Sequence, residues 1–409
     1  MSNVEASGRS NSVVDPAPYT LWQMVWYALR LGTLGFGGPV ALVGYMRRDL
    51  VERRHWIPEA EYNQGLALAE LAPGPLAAQL AMYLGYVRSR FIGAALVGVA
   101  FILPSFLMVV GLGWAYVHFG GLPWIHAVFY GVGACAIGII AHSAYKLTAR
   151  TVGRDRLLWA IYLVLAAATI VTASEPVLLV LVAGVVAWLV EAPPTLTNLT
   201  TLKRLRGFGP RATTLWGVSV GPLALATPDV SWSVLWSLFG YFVEAGAFVF
   251  GSGLAIVPFL YGGVVQQHHW LTQQQFLDAV SVALITPGPV VITSGFIGFL
   301  VAGLPGACVA ALGAFLPAYG FTIGLAPVLK RFGTHPGVAA FVRGVTAAAV
   351  GAITGSVFIL GRQSIVDGLT ALLAVAAFVL LWRVKRVSEP ALVLAAALIG
   401  LVVFPLLHR

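Results

Sequence analysis

Four clusters of glycine and proline, and a few charged residues stranded in apolar sequence, are the places where this chain could do chemistry. The clusters are Gly35-Phe36-Gly37-Gly38-Pro39, Ala72-Pro73-Gly74-Pro75, Phe250-Gly251-Ser252-Gly253 and Thr286-Pro287-Gly288-Pro289. Two prolines flanking a glycine remove two backbone donors and clash with the preceding turn, so no straight helix passes through. Where a helix is interrupted at membrane depth its free N–H groups need partners, and the N-terminus of a half-helix carries partial positive charge. Such ends converging on one point hold an anion with few charged side chains. Glycine allows close backbone approach, and Ser252 and Thr286 add hydroxyl donors. Taken singly, a cluster reads better as a packing point or kink, since both residues are common in membrane helices. Two clusters repeated in register favour a site. The candidate binding residues are Gly37, Gly38, Pro39, Pro73, Gly74, Pro75, Gly251, Ser252, Gly253, Thr286, Pro287, Gly288 and Pro289.

Charge inside an apolar segment costs about 2.5–3.5 kcal/mol on insertion scales. Arg30 lies in the first apolar segment, and the equivalent position of the second half is Glu244. That pairing suits a carrier with a cation for an anionic substrate in one half and a proton-accepting carboxylate in the other. Arg343, opposite Tyr130, is a second candidate cation, and Glu70 and Asp278 are further candidates for coupling protons. The competing reading is snorkelling to the interface, which weighs about evenly for Arg30, Arg343 and Asp278. Carboxylates snorkel poorly, so Glu70 and Glu244 are harder to dismiss. His126 and His142 read as structural.

These residues are positioned by a chain written twice. Phe36-Gly37, Trp56, Pro73-Gly74-Pro75 and Ser174-Glu175-Pro176 recur 214 positions later as Phe250-Gly251, Trp270, Pro287-Gly288-Pro289 and Ser388-Glu389-Pro390. Between the last two pairs, Gly93, Pro104, Gly131 and Gly138 meet Gly306, Pro317, Gly344 and Gly351 at 213. The organisation read from this is a polar tail over 1–19, a first repeat over 20–190, a basic linker over 191–233 and a second repeat over 234–409. Each repeat holds six apolar segments, with Pro-Gly-Pro in the middle of the second. If that segment is re-entrant, the loops carrying Arg47, Arg48, Arg53, Arg54, Arg88, Arg90, Lys146, Arg150, Arg154 and Arg156 share one face, and five crossings per half make the repeats inverted. A further crossing at 212–228 is weak, because it is short and contains Gly221 and Pro222. The fold class expected is an all-α polytopic membrane protein of about 10–13 crossings, built from two inverted repeats with broken helices.

Composition agrees. Of 409 residues, 59% are apolar and 10% charged, against about a quarter charged in soluble domains. Mean hydropathy of +0.89 excludes a soluble enzyme and a disordered chain. The net charge of +9 sits in loops between apolar runs, which suits anionic lipid rather than nucleic acid. Cys135 and Cys308 are unpaired in sequence, no HExxH occurs and no lysine follows a glycine, so no metal, cofactor, disulfide or ATP site is expected. The first 18 residues lack the basic start and apolar core of a secretory signal. A membrane-embedded reductase would need redox cysteines or haem-ligand histidines, for which there is no pattern.

The stretches GFGGPVALVGYM (35–46), LAPGPLAAQL (71–80), FGSGLAIVP (250–258) and ITPGPVVIT (285–293) resemble the chromate transporter family in its long, two-domain form, over residues 20–406. The resemblance implies a secondary transporter that carries chromate out of the bacterial cytoplasm across the inner membrane, confers chromate resistance, and has sulfate as a competing anion. Many members of that family have histidine where Leu42 stands here, which leaves the substrate preference open. The partners implied are chromate, sulfate, protons or the membrane potential, the lipid bilayer and, for the oligomer, a homodimer. An uptake carrier for sulfate or another oxyanion would share every feature above, and a channel is separated only by saturation kinetics.

Overall fold

The computed structural model describes residues 17–35, 38–119, 123–172, 177–193, 231–249, 256–332, 336–384, 387 and 389–407. The polar tail up to residue 16 and the weak crossing at 212–228 lie outside them. The first apolar segment does not cross the membrane. Thr20 and Gln23 close a capping box that starts α1 (Leu21–Leu34), about 21 Å long at 1.5 Å per residue. After the Gly-rich break the chain returns through α2 (Gly38–Met46), which continues as a π-helix over Arg47–Arg53. The two ends meet: the Ala17 N–H donates to the His55 carbonyl at 2.7 Å, Tyr19 stacks on Trp56 and the Arg54 guanidinium lies over the Tyr27 ring. Segment one is therefore a helical hairpin with the Gly cluster at its tip. A sequence reading that takes an apolar run for a span cannot see this, because a hairpin of two 20 Å arms is as apolar as one crossing.

A second hairpin follows. α3 (Glu59–Leu71) rises to Pro-Gly-Pro, and the first arm of α4 (Leu76–Phe119) descends. At Ser89 and Arg90, where Arg90 has φ 51°, the chain reverses. A Cβ on Gly85 would meet the Gly93 carbonyl, and one on Gly98 would lie 2.8 Å from the Met82 side chain, so 91–119 runs back along 76–88. Arg88 donates to the Tyr19 carbonyl at 3.0 Å, which puts the bases of both hairpins on one face.

The second repeat copies this. α8 (Trp232–Ala247) pairs with α9 (Ile256–Leu260) and its π-helical continuation Tyr261–Gln267. α10 (Gln273–Ile285), capped by Thr272 and Gln275, leads through Pro-Gly-Pro and the 3₁₀ turn Val290–Ile292 into α11 (Thr293–Phe332). The special backbone positions match: His55 with His269, Arg90 with Gly303, Gly74 with Gly288. His268 stacks on Trp270 beside Tyr241, where Arg54 lay over Trp56 and Tyr27.

Full-length helices complete each half. Within the helices Leu76–Phe119 and Val290–Gly324, which hold the long arms that start at residues 91 and 304, and within α5 (Pro123–Thr151) and α12 (Pro336–Ser364) lie stretches long and apolar enough to span. The shorter α6 (Arg156–Thr172), α7 (Val177–Glu191), α13 (Gly368–Arg383) and α14 (Glu389–Leu407) run beside them. They pack across the halves: α6 and α7 on α12, α13 and α14 on α5. Among the described residues each half thus has two hairpins, two helices long and apolar enough to span, and two shorter apolar helices.

The halves are inverted. The arm 91–119 starts beside Arg88, its middle residue Ser105 meets the second-half tip at Pro287, and Tyr116 near its far end bonds Asp278 close to the start of α10. The second-half hairpins therefore open on the face opposite Arg88. The first face holds Arg53, Arg54, Arg88, Arg90, Arg154, Arg156 and Arg383; the loops 268–272 and 302–303 hold no Lys or Arg. Arg362, over the Phe358 ring, is an exception on the opposite face.

Candidate functional site at the hairpin tips

The tips meet in the middle of the molecule and bond crosswise. The Gly74 N–H donates to the Val249 carbonyl at 2.5 Å, and the Gly288 N–H to the Gly35 carbonyl at 3.1 Å. Tip two of each half is thereby joined to tip one of the other. Buried side chains hold the neighbouring carbonyls: Gln79 Nε2 donates to Pro73 at 2.7 Å, and the Ser105 hydroxyl lies 2.6 Å from the Pro287 carbonyl and 3.4 Å from that of Gly32. Gly74 and Gly288 have φ of 141° and 100°, which side-chain-bearing residues rarely adopt.

This pattern sorts donors from acceptors. Each tip brings in one helix C-terminus and sends out one N-terminus. Carbonyls around the turns are engaged by Gly74, Gly288, Gln79 and Ser105. The first N–H groups of the outgoing half-helix α4 have no acceptor within their own helix, whereas at the entry to α11 the Ile292 and Thr293 N–H groups bond the Pro289 and Val290 carbonyls. A midplane site flanked by half-helix N-termini favours an anion that accepts several N–H bonds.

The model of the family described as "Chromate transporter" matches residues 22–188 and again 236–401, once per repeat. The chain belongs to the chromate transporter family. It is 61% identical to the "Chromate transport protein" of Cupriavidus metallidurans over 98% of this chain and 97% of that one. It is 58% identical to the "Probable chromate transport protein" of Synechococcus elongatus over 95% and 97%, and 31% identical to the "Chromate transport protein" of Pseudomonas aeruginosa over 95% and 94%. No solved structure matches the chain. Multi-pass membrane architecture and transport-protein relatives place it among transporters.

In this transporter the structure gathers Gly38, Pro39, Pro73, Gly74, Pro75, Thr286, Pro287, Gly288 and Pro289 at three of the four tips. Gly37, Gly251, Ser252 and Gly253 lie outside the described residues. Thr286 is buried and its hydroxyl donates back to the Ala283 carbonyl at 3.2 Å, so that proton is engaged by its own helix. The charged candidates are spread more widely. Arg30 is exposed on α1, one turn before Gly35, on a stripe shared with Trp22, Trp26 and Leu34. Glu244 is exposed on the equivalent stripe of α8, below Trp232 and Trp236. Glu70 is exposed at the top of α3, beside tip two. Arg343 is not at the tips: it bonds Glu191 at the end of α7, towards the basic face. Asp278 is 3% exposed and accepts from Tyr116 at 2.7 Å and Gln274 at 2.9 Å.

Sequence reading missed Ser105, Gln79 and Tyr116. The signal for Ser105 was a broken symmetry, since the second repeat has Ala318 at that position. Nothing in an apolar run marks which of its few polar residues turns inwards.

Proposed function

We propose that this protein is a secondary active transporter of the bacterial inner membrane that carries chromate out of the cytoplasm and so confers resistance to it. The observation that carries the reading is the crosswise joining of four hairpin tips from inverted repeats, which leaves half-helix N-termini at the midplane. The names of the relatives supply the substrate: a tetrahedral dianion whose oxygens accept hydrogen bonds from several directions. Gly38, Pro39, Pro73 to Pro75 and Thr286 to Pro289 form the binding set together with the remaining tip residues. Arg30, one turn from tip one, adds positive charge; Arg343 is left out because Glu191 engages it. Glu70, Glu244 or Asp278 couples protons.

The energetics suit an exporter. The face rich in arginine is the cytoplasmic one. Moving a dianion outwards from a negative interior gains about 4.6 kcal/mol at 100 mV, from about 2.3 kcal/mol per charge. The test is radiolabelled chromate accumulation in everted inner-membrane vesicles, with and without excess sulfate and a protonophore. Accumulation that protonophore abolishes and sulfate reduces is the expected result. No accumulation there, with sulfate entering right-side-out vesicles, would replace this reading with an uptake carrier.

A further inference from the structure

The two repeats carry the same pattern but do not hold their second hairpins alike. On α10 the stripe Leu277, Asp278, Ser281 and Leu284 is buried, and α10 packs on α5 and α14. The equivalent stripe of α3, 214 positions earlier, is Asn63, Gln64, Ala67 and Glu70, and all four are exposed. The main packing partners of α3 are α4 and α11, not α12 and α7, which are the equivalents of α5 and α14. At 1.5 Å per residue from Glu59, the stripe runs from about 6 Å to about 17 Å into the membrane, ending beside Pro73. An amide pair and a carboxylate clustered at that depth are costly against hydrocarbon. A water-filled path from the basic side would meet that cost.

On the opposite side the route is shut. Asp278 and Tyr116 tie α10 to the arm 91–119, and Gln274 holds the other carboxylate oxygen. The tie has no equivalent across the pseudo-symmetry: Gln64 stands in place of Asp278, and Leu329 in place of Tyr116.

We infer that this structure is the state open to the basic face, that the α3 stripe Asn63, Gln64, Ala67 and Glu70 lines the path to the tips, and that the Asp278–Tyr116 bond is the latch closing the opposite face. The opposite state exchanges the two arrangements. The α3 stripe closes onto α12 and α7, and the α10 stripe leaves α5 and α14. Because only one of the two gates carries this hydrogen-bonded latch, the resting population favours the state seen. This inference takes the transport reading as its frame, but its test uses no substrate, so chromate export and this gating can fail separately.

The experiment labels single cysteines with a membrane-impermeant maleimide, in a background with Cys135→Ala and Cys308→Ala. Ala67→Cys should react readily in everted vesicles, where the basic face is outside. Ser281→Cys, at the equivalent position, should react at least tenfold more slowly in right-side-out vesicles. Adding Tyr116→Phe, which removes the Tyr116–Asp278 hydrogen bond, should raise the Ser281→Cys rate about tenfold. Asp278→Asn repeats the test should Tyr116→Phe fail to reach the membrane. Equal reactivity of the two cysteines in the parent, an unreactive Ala67→Cys, or a latch variant that leaves Ser281→Cys unchanged would overturn the inference.

Discussion

Gly288→Ala is the substitution whose effect follows most directly from the tip geometry. Gly288 has φ of 100°, and a Cβ there would fall on the Ser105 hydroxyl. The backbone strain is about 1–3 kcal/mol for a side-chain-bearing residue. Displacing Ser105 removes its bond to Pro287, worth about 1 kcal/mol. The sum is about 3 kcal/mol, or about two orders of magnitude in the population of the intact tip. Removing the hydroxyl relieves the closest contact, because the next atom a Cβ on Gly288 would meet is the Ser105 Cβ at 3.1 Å. Ser105→Ala should therefore be less harmful in the Gly288→Ala background than alone, giving a coupling of about 1 kcal/mol in a double-mutant cycle. The assays are thermal melting of the detergent-purified protein, followed by size-exclusion fluorescence, and chromate accumulation in everted vesicles. Gly288→Ala should lower both, and the double variant should recover part of the melting loss. Parental behaviour of Gly288→Ala, or strict additivity with Ser105→Ala, would show that the tip is not built as described.

Other outcomes are as specific. Arg30→Gln should abolish chromate flux while leaving the amount inserted in the membrane unchanged; normal flux would take Arg30 out of the site. Arg343→Gln should lose only the half-exposed pair with Glu191, worth up to about 1 kcal/mol, and retain flux. Cysteines at Arg154 and Gln267 should label from opposite faces, since the repeats are inverted; labelling from the same face would contradict the topology. Asp367 caps α13 through the Thr370 N–H and also accepts from Tyr130, and these bonds hold its carboxyl below the ordinary 3.8. Its contribution is fully present above that value and is lost as pH falls through the lower folded one. Asp367→Ala should therefore cost about 1 kcal/mol of thermal stability, equally at pH 6 and pH 8.

Composition, repeat and punctuation were legible in the sequence because they depend on local chemistry. A Pro-Gly-Pro inside an apolar run has to break a helix wherever the chain goes, and arginine is biased to one face whatever the helices pack against. Membrane helices, two repeats, their inversion and the four broken tips follow from that. What the linear pattern could not give was whether an apolar run crosses or doubles back. Hydropathy registers solvent class and not direction, and Ala17 meeting His55 is a contact made only in three dimensions. The crosswise bonds of Gly74 to Val249 and of Gly288 to Gly35 join residues some 170 to 250 positions apart, and no spacing rule reaches that far. Likewise the sequence marks Gln64 and Asp278 as equivalent, yet tertiary packing exposes one and buries the other. An inverted repeat fixes two arrangements of the same parts, and which of them faces which side is decided by packing free energy summed over the whole fold.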